Sequence, residues 1–363
     1  LFVVAMAGSI SAAVVAVRHP AVGGLGELMR NPAVAEKLDL LPDFTDPTAL
    51  VPMFTPRGRA DRLVITALRI SAAPSGLYDP VWQRSRTTSI PVKGRGAFSD
   101  EAGVVETRAL YTADELYFLF RWDDPTHSTT KQSWVYDGKK WHHQPGNEDR
   151  IALLFEITRI DHFATRGCAV TCHSPADLPR EQWRLATRTA SEKGDLWHWT
   201  AARSAPYNYA DDAWLTVAGN PSGSYRETGR RKDWGEGGDV RNQTPDGTRP
   251  LYMPSPRIAP SVPGFLLFEE AAEITDYSIF SPGDVIPFRL PRKPSGSRFD
   301  VKAQSRYAEG GWTVMVHRRL DTGNEDDVMF LPTRNYSFAI AVFDDSGDDH
   351  SKATLPLTLE FEK

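Results

Sequence analysis

Apolar residues recur at every second position along most of the chain after residue 61. Between Leu116 and Trp122, large apolar side chains occupy alternate positions, the pattern of a strand with one buried face. Comparable runs, rich in β-branched and aromatic residues and separated by Gly, Pro and Asp, occur at 63–71, 104–110, 151–157, 299–307, 312–320, 336–343 and 355–361. Strands without regular helices between them predict an all-β fold, a sandwich or a barrel, whose strand order the alternation does not give.

The beginning of the chain has a different character. Residues 1–17 carry no charge and are almost wholly apolar, at the lower limit of the ~17–25 residues that a membrane-spanning helix needs. We interpret them as an N-terminal transmembrane helix that anchors the protein. A cleaved signal segment is the main alternative and a buried helix a lesser one. Prolines interrupt the helical spacing that follows, so residues 18–60 are predicted to form a stalk or linker.

A long excursion interrupts the β pattern. Residues 219–263 show no sustained period and are crowded with Gly, Pro, Arg and Asp. A structureless segment of this length inside a domain is more often functional or partner-facing than idle. The simplest organisation is one β-domain over residues 61–363 with a large loop insertion.

Composition and charge exclude several classes of protein. The chain has 363 residues, 40 % of them hydrophobic, which suffices for a sizeable core. A net charge of −5 without a basic cluster argues against a nucleic-acid partner. No G-x-S-x-G, P-loop or G-x-G-x-x-G motif is present, so nothing points to a hydrolase or a nucleotide enzyme.

The only two cysteines lie close together, in the run Gly-Cys168-Ala-Val-Thr-Cys172-His173. Two nearby thiols followed at once by a histidine are typical of covalent haem attachment, in which the thiols add to the vinyl groups and the imidazole binds the iron. Three residues separate the cysteines instead of the usual two, a rarer variant. The motif therefore predicts one haem c.

Three other interpretations of the motif remain open. A redox-active dithiol more often has C-x-x-C spacing at a helix start. A plain disulfide leaves His173 unexplained. A zinc site would need further ligands from distant residues. Haem attachment agrees best with the apolar N-terminal segment, because thioether formation takes place outside the cytoplasm. Both features predict a membrane-anchored protein on the periplasmic side.

The second axial ligand of the iron has three candidates. His350 follows the predicted strand 336–343 in a polar turn, from which it could reach a sandwich mouth. His198 is flanked by Trp197 and Trp199, which we expect to lie against the porphyrin. Met253 would place a thioether on the iron and raise its potential. The acidic runs 344–349 and 326–327 could hold calcium, but neither matches an EF-hand loop, and we interpret them as solvated turns.

Several stretches together resemble the haem-binding domain of c-552-type cytochromes and of the gamma subunits of ethylbenzene dehydrogenase and related type II dimethyl-sulfoxide-reductase-family enzymes. The matching stretches are 78–82, 115–124, 148–155, 167–173, 195–203, 312–330 and 336–350. The resemblance implies a β-sandwich that holds one haem and transfers electrons without substrate chemistry. A haem-ligating lysine of the b-type gamma subunits lies near the end of the equivalent strand, so His350 resembles the family's distal position.

These observations predict a monohaem c-type cytochrome that relays single electrons and is not itself an enzyme. We expect it to be a subunit of a respiratory or photosynthetic membrane complex, with a cytochrome b, quinol-oxidising, molybdenum-enzyme or reaction-centre partner. Two alternatives remain. One is a non-redox exported interaction or assembly subunit with a structural disulfide, and the other is a haem-based sensor with an open iron position.

Overall fold

The structure is a computed structural model that describes residues 62–94, 103–172, 185–219, 228–255, 265–347 and 350–363. Their regular secondary structure consists of β-strands, several short 3₁₀ segments and one short α-helix, α1 (Phe163–Arg166). The strands are β1 (Leu63–Arg69), β2 (Thr88–Gly94), β3 (Gly103–Tyr111), β4 (Glu115–Asp123), β5 (Trp134–Tyr136), β6 (Trp141–His143), β7 (Arg150–Glu156), β8 (Gly194–Thr200), β9 (Asp211–Leu215), β10 (Arg230–Lys232), β11 (Gly238–Arg241), β12 (Tyr252–Pro254), β13 (Ala271–Glu273), β14 (Val285–Ile286), β15 (Arg289–Arg292), β16 (Lys302–Ala308), β17 (Gly311–Arg319), β18 (Tyr336–Phe343), β19 (Ser351–Ala353) and β20 (Leu357–Phe361).

Thirteen strands form one sheet that folds over on itself. Its main path runs β10-β9-β8-β7-β18-β19-β2-β3-β4-β17-β16. A second connection runs through β20 and β1, because β20 pairs with β18 while β1 pairs in parallel with both β20 and β3. The sheet therefore has two layers, one around β7, β8 and β18 and the other around β3, β4 and β17. Short two- and three-stranded sheets made by the remaining strands lie outside this sandwich.

The core lies between the two layers, because alternate residues of each strand point to the same face. On β4, Phe118 and Trp122 point inward and are buried. The ring of Phe118 lies 6.2 Å from that of Phe155 on β7, and Trp122 lies 6.3 Å from Trp199 on β8. Burying each such side chain contributes roughly 1.5–3 kcal/mol, so these cross-layer contacts hold the sandwich closed.

The structure confirms the all-β prediction and all eight predicted strands, with boundaries that shift by a few residues. It corrects the interpretation of residues 219–263 as structureless, because this excursion contains β10, β11 and β12. Strands of three or four residues are too short for alternation to reveal them. The predicted anchor and stalk lie outside the described residues, and none of the helices that the structure does describe is long and apolar enough to cross a membrane.

Candidate functional site

The candidate site lies on the outer face of the layer formed around β7, β8 and β18. Side chains directly opposite one another in neighbouring strands share a face, and the register places His198, Ala152, Ala341 and Lys352 in one row across β8, β7, β18 and β19. Ala339, two residues before Ala341, lies on the same face. Ala152, Ala339 and Ala341 form a low floor here, and Ala339 and Ala341 are buried because neighbouring side chains already pack over them.

The segment carrying the cysteines packs against one end of this floor. Cys168 and Cys172 belong to an apolar cluster with Ala152, Ala339 and Phe163 of α1. After α1 the chain turns at Gly167, whose φ of 57° and ψ of −148° are essentially restricted to glycine. This turn leads directly into the 3₁₀ segment Gly167–Val170, so Gly167 directs the buried thiol of Cys168 onto the floor.

The structure brings His350 to the two cysteines. Ligand atoms of Cys168, Cys172 and His350 all lie within 4.8 Å of one another, and neither cysteine forms a disulfide. The imidazole of His350 lies 4.9 Å from the ring of Phe343 across the β18–β19 pair. Gly94 on β2 permits this placement, because a Cβ there would lie 2.3 Å from the carbonyl oxygen of His350. His350 is far from the two cysteines in sequence, so the fold brings the three residues of the cluster together.

The two thiols are electrostatically unequal. A hydrogen bond from Cys172 lowers the pKa of Cys168, and contacts with His350 and Lys352 add to the shift against the opposing effect of burial. The same hydrogen bond, together with burial, raises the pKa of Cys172. Cys168 is therefore the more acidic of the two sulfurs, and the two side chains interact directly.

His198 lies at the other end of the row. Its side chain is buried, and its Nε2 has no hydrogen-bond partner among the described residues. Burial lowers the pKa of His198 well below its usual range, and the positive charges of Arg230, Arg150 and Arg203 lower it further. The imidazole is therefore neutral at pH 7, the form that can bind a metal. Its ring lies 6.0 Å from that of Phe343.

The remaining predicted site residues lie elsewhere. Trp197 and Trp199 are fully buried in the core between the layers, because alternate residues of β8 point to opposite faces and His198 points outward. They are therefore on the wrong side of the sheet to contact anything on the alanine floor, and we revise the expectation that they line a porphyrin there. Met253 on β12 packs in a separate cluster around Trp134. His173 lies outside the described residues.

The residues on this face fit a flat cofactor in some respects. The alanine floor, two adjacent thiols and the buried Nε2 of His198, which has no partner in the described part of the chain, are features that a haem would use. A cleft of about 70 Å³ opens beside Cys168 and Ala339, far below the ~300–1,000 Å³ of a typical cofactor pocket. The cleft is too small for a haem, so a haem would reach the floor only if the side chains that now cover Ala339 and Ala341 moved away. The donor set of two sulfurs and one imidazole also suits zinc.

The site was only partly visible in the sequence. The cysteine motif marked its centre, but the alanine floor and Phe343 were missed. The signal was present in β18, where Phe338, Ile340 and Val342 alternate with Ala339 and Ala341. A strand with large apolar residues on one face and alanines on the other has room on the second face for something else to pack.

Comparisons with known proteins bear on this site. A family model described as ethylbenzene dehydrogenase matches residues 79–354, which include both cysteines, His198 and His350. No curated protein matches the chain.

Among solved structures, a family 9 carbohydrate-binding module from Caldicellulosiruptor kristjanssonii in complex with glucose is 9 % identical. The alignment covers 83 % of this chain and 95 % of that one, with a TM-score of 0.35. A protein from Bacteroides uniformis described as carbohydrate-binding is 8 % identical over 84 % of this chain and 100 % of that one, with a TM-score of 0.37. At these TM-scores the likeness carries no argument.

Proposed function

Because the chain belongs to the ethylbenzene dehydrogenase family, we propose that it is a non-catalytic, electron-transferring subunit of an oxidoreductase complex with one covalently bound haem. The observation that carries the proposal is the convergence of Cys168, Cys172 and His350 on one face of the sheet. Family membership supports association with a molybdenum-enzyme complex. A membrane anchor and a periplasmic location remain part of the proposal, and they rest on residues 1–17 and on the chemistry of haem attachment.

The chain's own residues have distinct roles in this proposal. Cys168 and Cys172 would hold the haem through two thioether bonds, one from each sulfur. His173 and His350 would bind the iron, with His198 as the alternative to His350. The alanine floor would contact the ring. The bound group would supply one-electron transfer and no substrate chemistry.

Acid–acetone extraction followed by pyridine haemochrome spectroscopy tests the proposal. A covalently attached haem stays with the protein, and the intact chain is heavier by the mass of one haem. If the haem moves into the solvent, covalent attachment is wrong although electron transfer could still stand. If protein isolated from its native membrane holds no haem, the electron-transfer proposal fails.

Carbon monoxide binding tests the axial ligand. We expect the reduced protein not to react with carbon monoxide, and His350→Ala to react with it because one side of the iron becomes open. His142→Ala is the matched control, since His142 is an exposed residue of β6. An unchanged spectrum for His350→Ala together with a carbon monoxide-reactive His198→Ala would transfer the ligand role to His198. If the reduced wild-type protein binds carbon monoxide, the result would favour the alternative of a haem-based sensor.

The alanine floor gives a second test of the site. Ala152 is half-buried, so Ala152→Leu should fold while its larger side chain occupies the space above the floor. We expect the haem-loaded fraction to fall about tenfold, with an unfolding midpoint within a few degrees of wild type. Ser337→Leu is the control, because Ser337 lies on the same face of β18, beyond the floor. Equal haem loading in the two variants would show that haem does not use the floor.

A further inference from the structure

Three aspartates meet at one end of the sandwich, outside the cysteine and histidine site. Asp124 directly follows β4, Asp149 directly precedes β7, and Asp344 directly follows β18. Carboxylate oxygens of the three lie within 4.8 Å of one another. Asp124 and Asp149 are 0 % exposed. Two strand ends from one layer and one from the other thus bring three acidic groups together, two of them inside the protein.

The hydrogen bonds at this cluster leave an oxygen unused. Asp149 accepts hydrogen bonds from the backbone N–H of Ser128 at 2.8 Å and from the Trp312 indole at 3.0 Å. Asp124 Oδ1 accepts from the backbone N–H of Thr126, whose hydroxyl donates to Asp344. Asp124 Oδ2 is fully buried and accepts no hydrogen bond of normal geometry among the described residues, although the Trp122 indole N–H lies close enough to interact with this carboxyl. A buried carboxylate oxygen without a partner is costly unless something positive binds it.

The charge balance points the same way. No ion pair among the described residues joins a lysine or an arginine to Asp124, Asp149 or Asp344. Three carboxylates this close repel one another unless a positive charge lies between them.

We propose that Asp124, Asp149 and Asp344 form a calcium site. All the available side-chain donors are carboxylate oxygens, which suit a hard cation and not zinc or copper. Calcium accepts irregular geometry and completes a shell of about 6–8 oxygens with backbone carbonyls and water, whereas magnesium demands near-octahedral ligands. In this proposal Asp344, the first residue of the acidic run 344–349, binds calcium, whereas the sequence alone predicts a solvated turn there.

The proposed site lies at the start of the loop that carries His350. The backbone N–H of Asp345 donates to Asp149 at 3.3 Å, and Arg150 donates to the carbonyl of Gly347 at 2.7 Å. Asp344 begins this loop and His350 ends it, immediately before β19. Calcium would therefore fix the first residue of the loop to β4 and β7, and through it the position of His350. The calcium site itself does not depend on the haem proposal.

Calorimetric titration of the chelator-treated full chain with calcium chloride tests this proposal. We expect one site with a Kd of about 10⁻⁴ M, the range of extracellular calcium modules. Asp124→Asn and Asp344→Asn should weaken binding about tenfold or more, because each removes a negative ligand. Calcium should also raise the thermal unfolding midpoint of the wild-type protein, as any ligand of the native state does.

Asp123→Asn is the matched control, since Asp123 is the exposed neighbour of Asp124 and should bind calcium as the wild type does. Asp344 is half-buried, so Asp344→Asn keeps the test valid if Asp124→Asn fails to fold. No calcium heat and no midpoint shift in the wild type would overturn the proposal. So would equal binding by Asp344→Asn and Asp123→Asn, because the ion would then lie elsewhere.

Discussion

Replacing both Cys168 and Cys172 with serine is expected to abolish covalent haem, from one haem per chain to essentially none. Thioether bonds need sulfur, and the chain has no other cysteine to supply it. Serine preserves the approximate size of each side chain, so the cluster around Ala339 and Phe163 should stay packed. Each single variant keeps one thioether and should retain haem with an altered haemochrome spectrum. Haem staining after denaturing electrophoresis measures the loss.

The same variants separate the interpretations that the sequence left open. If the double variant still binds haem that solvent extracts, the site is a haem b site and the thiols are incidental. If the wild-type protein has no haem and its thiols are oxidised to a disulfide, the structural-disulfide alternative stands. Zinc that is lost from the double variant would instead support a metal site built on Cys168, Cys172 and His350. Thr165→Ala is the control, because Thr165 is an exposed residue of α1 and its replacement shows whether any change in this segment affects haem content.

Much of the fold was predictable from the sequence because long strands with one buried face show their period directly. The seven-residue strands β2 and β8 were not predicted, β2 because Pro91 interrupts it and β8 because both of its faces are buried. Leu116 to Trp122 needed only alternation to be recognised, and β18 has the predicted boundaries. Strand order was not predictable, because alternation is the same whichever strand is the neighbour. The parallel pairing of β1 with β20 joins the two ends of the domain and depends on contacts that no local pattern encodes.

The site was predictable only where its residues are adjacent in sequence. Cys168 and Cys172 form a local motif, whereas His350 reaches them through the pairing of β18 with β19. The expectation for Trp197 and Trp199 could have been corrected from sequence alone, because a histidine between two tryptophans on a strand points away from both. The burial of Asp124 and Asp149 could not have been predicted from the sequence, since an aspartate beside a predicted strand end is usually solvated.

A buried arginine connects the two layers of the sandwich. Arg318 on β17 has a fully buried side chain that pairs with Asp195 on β8 at 2.8 Å and with Asp212 on β9 at 3.3 Å. It also pairs with Asp327 at 2.9 Å and donates to the carbonyl of Val328 at 2.8 Å. One guanidinium therefore forms ion pairs with three buried carboxylates from different parts of the chain.

Replacing Arg318 with methionine is expected to lower the free energy of unfolding by about 3–5 kcal/mol, because three buried carboxylates lose their cation. Burial already raises the pKa of Asp195 to about 6 despite the arginine. A raised carboxyl pKa means that the folded state binds the proton more tightly than the unfolded state does. The protonated carboxyl therefore stabilises the folded protein at low pH, and this stabilisation is lost as the pH rises through the folded-state pKa. Without Arg318 these carboxyls should bind protons more tightly still. The loss measured by urea unfolding should therefore be smaller at pH 5 than at pH 8.

The control for this prediction is the next residue of the same strand. Arg319 is exposed, so Arg319→Met should change the free energy of unfolding by less than about 0.5 kcal/mol at either pH. An Arg318→Met protein as stable as wild type at pH 8 would contradict the prediction. It would mean that the carboxylates bind protons at little cost, and that apolar packing alone holds β17 against β8 and β9. A loss of equal size at both pH values would instead assign the role of Arg318 to its packing on Trp197, 4.8 Å from the guanidinium carbon.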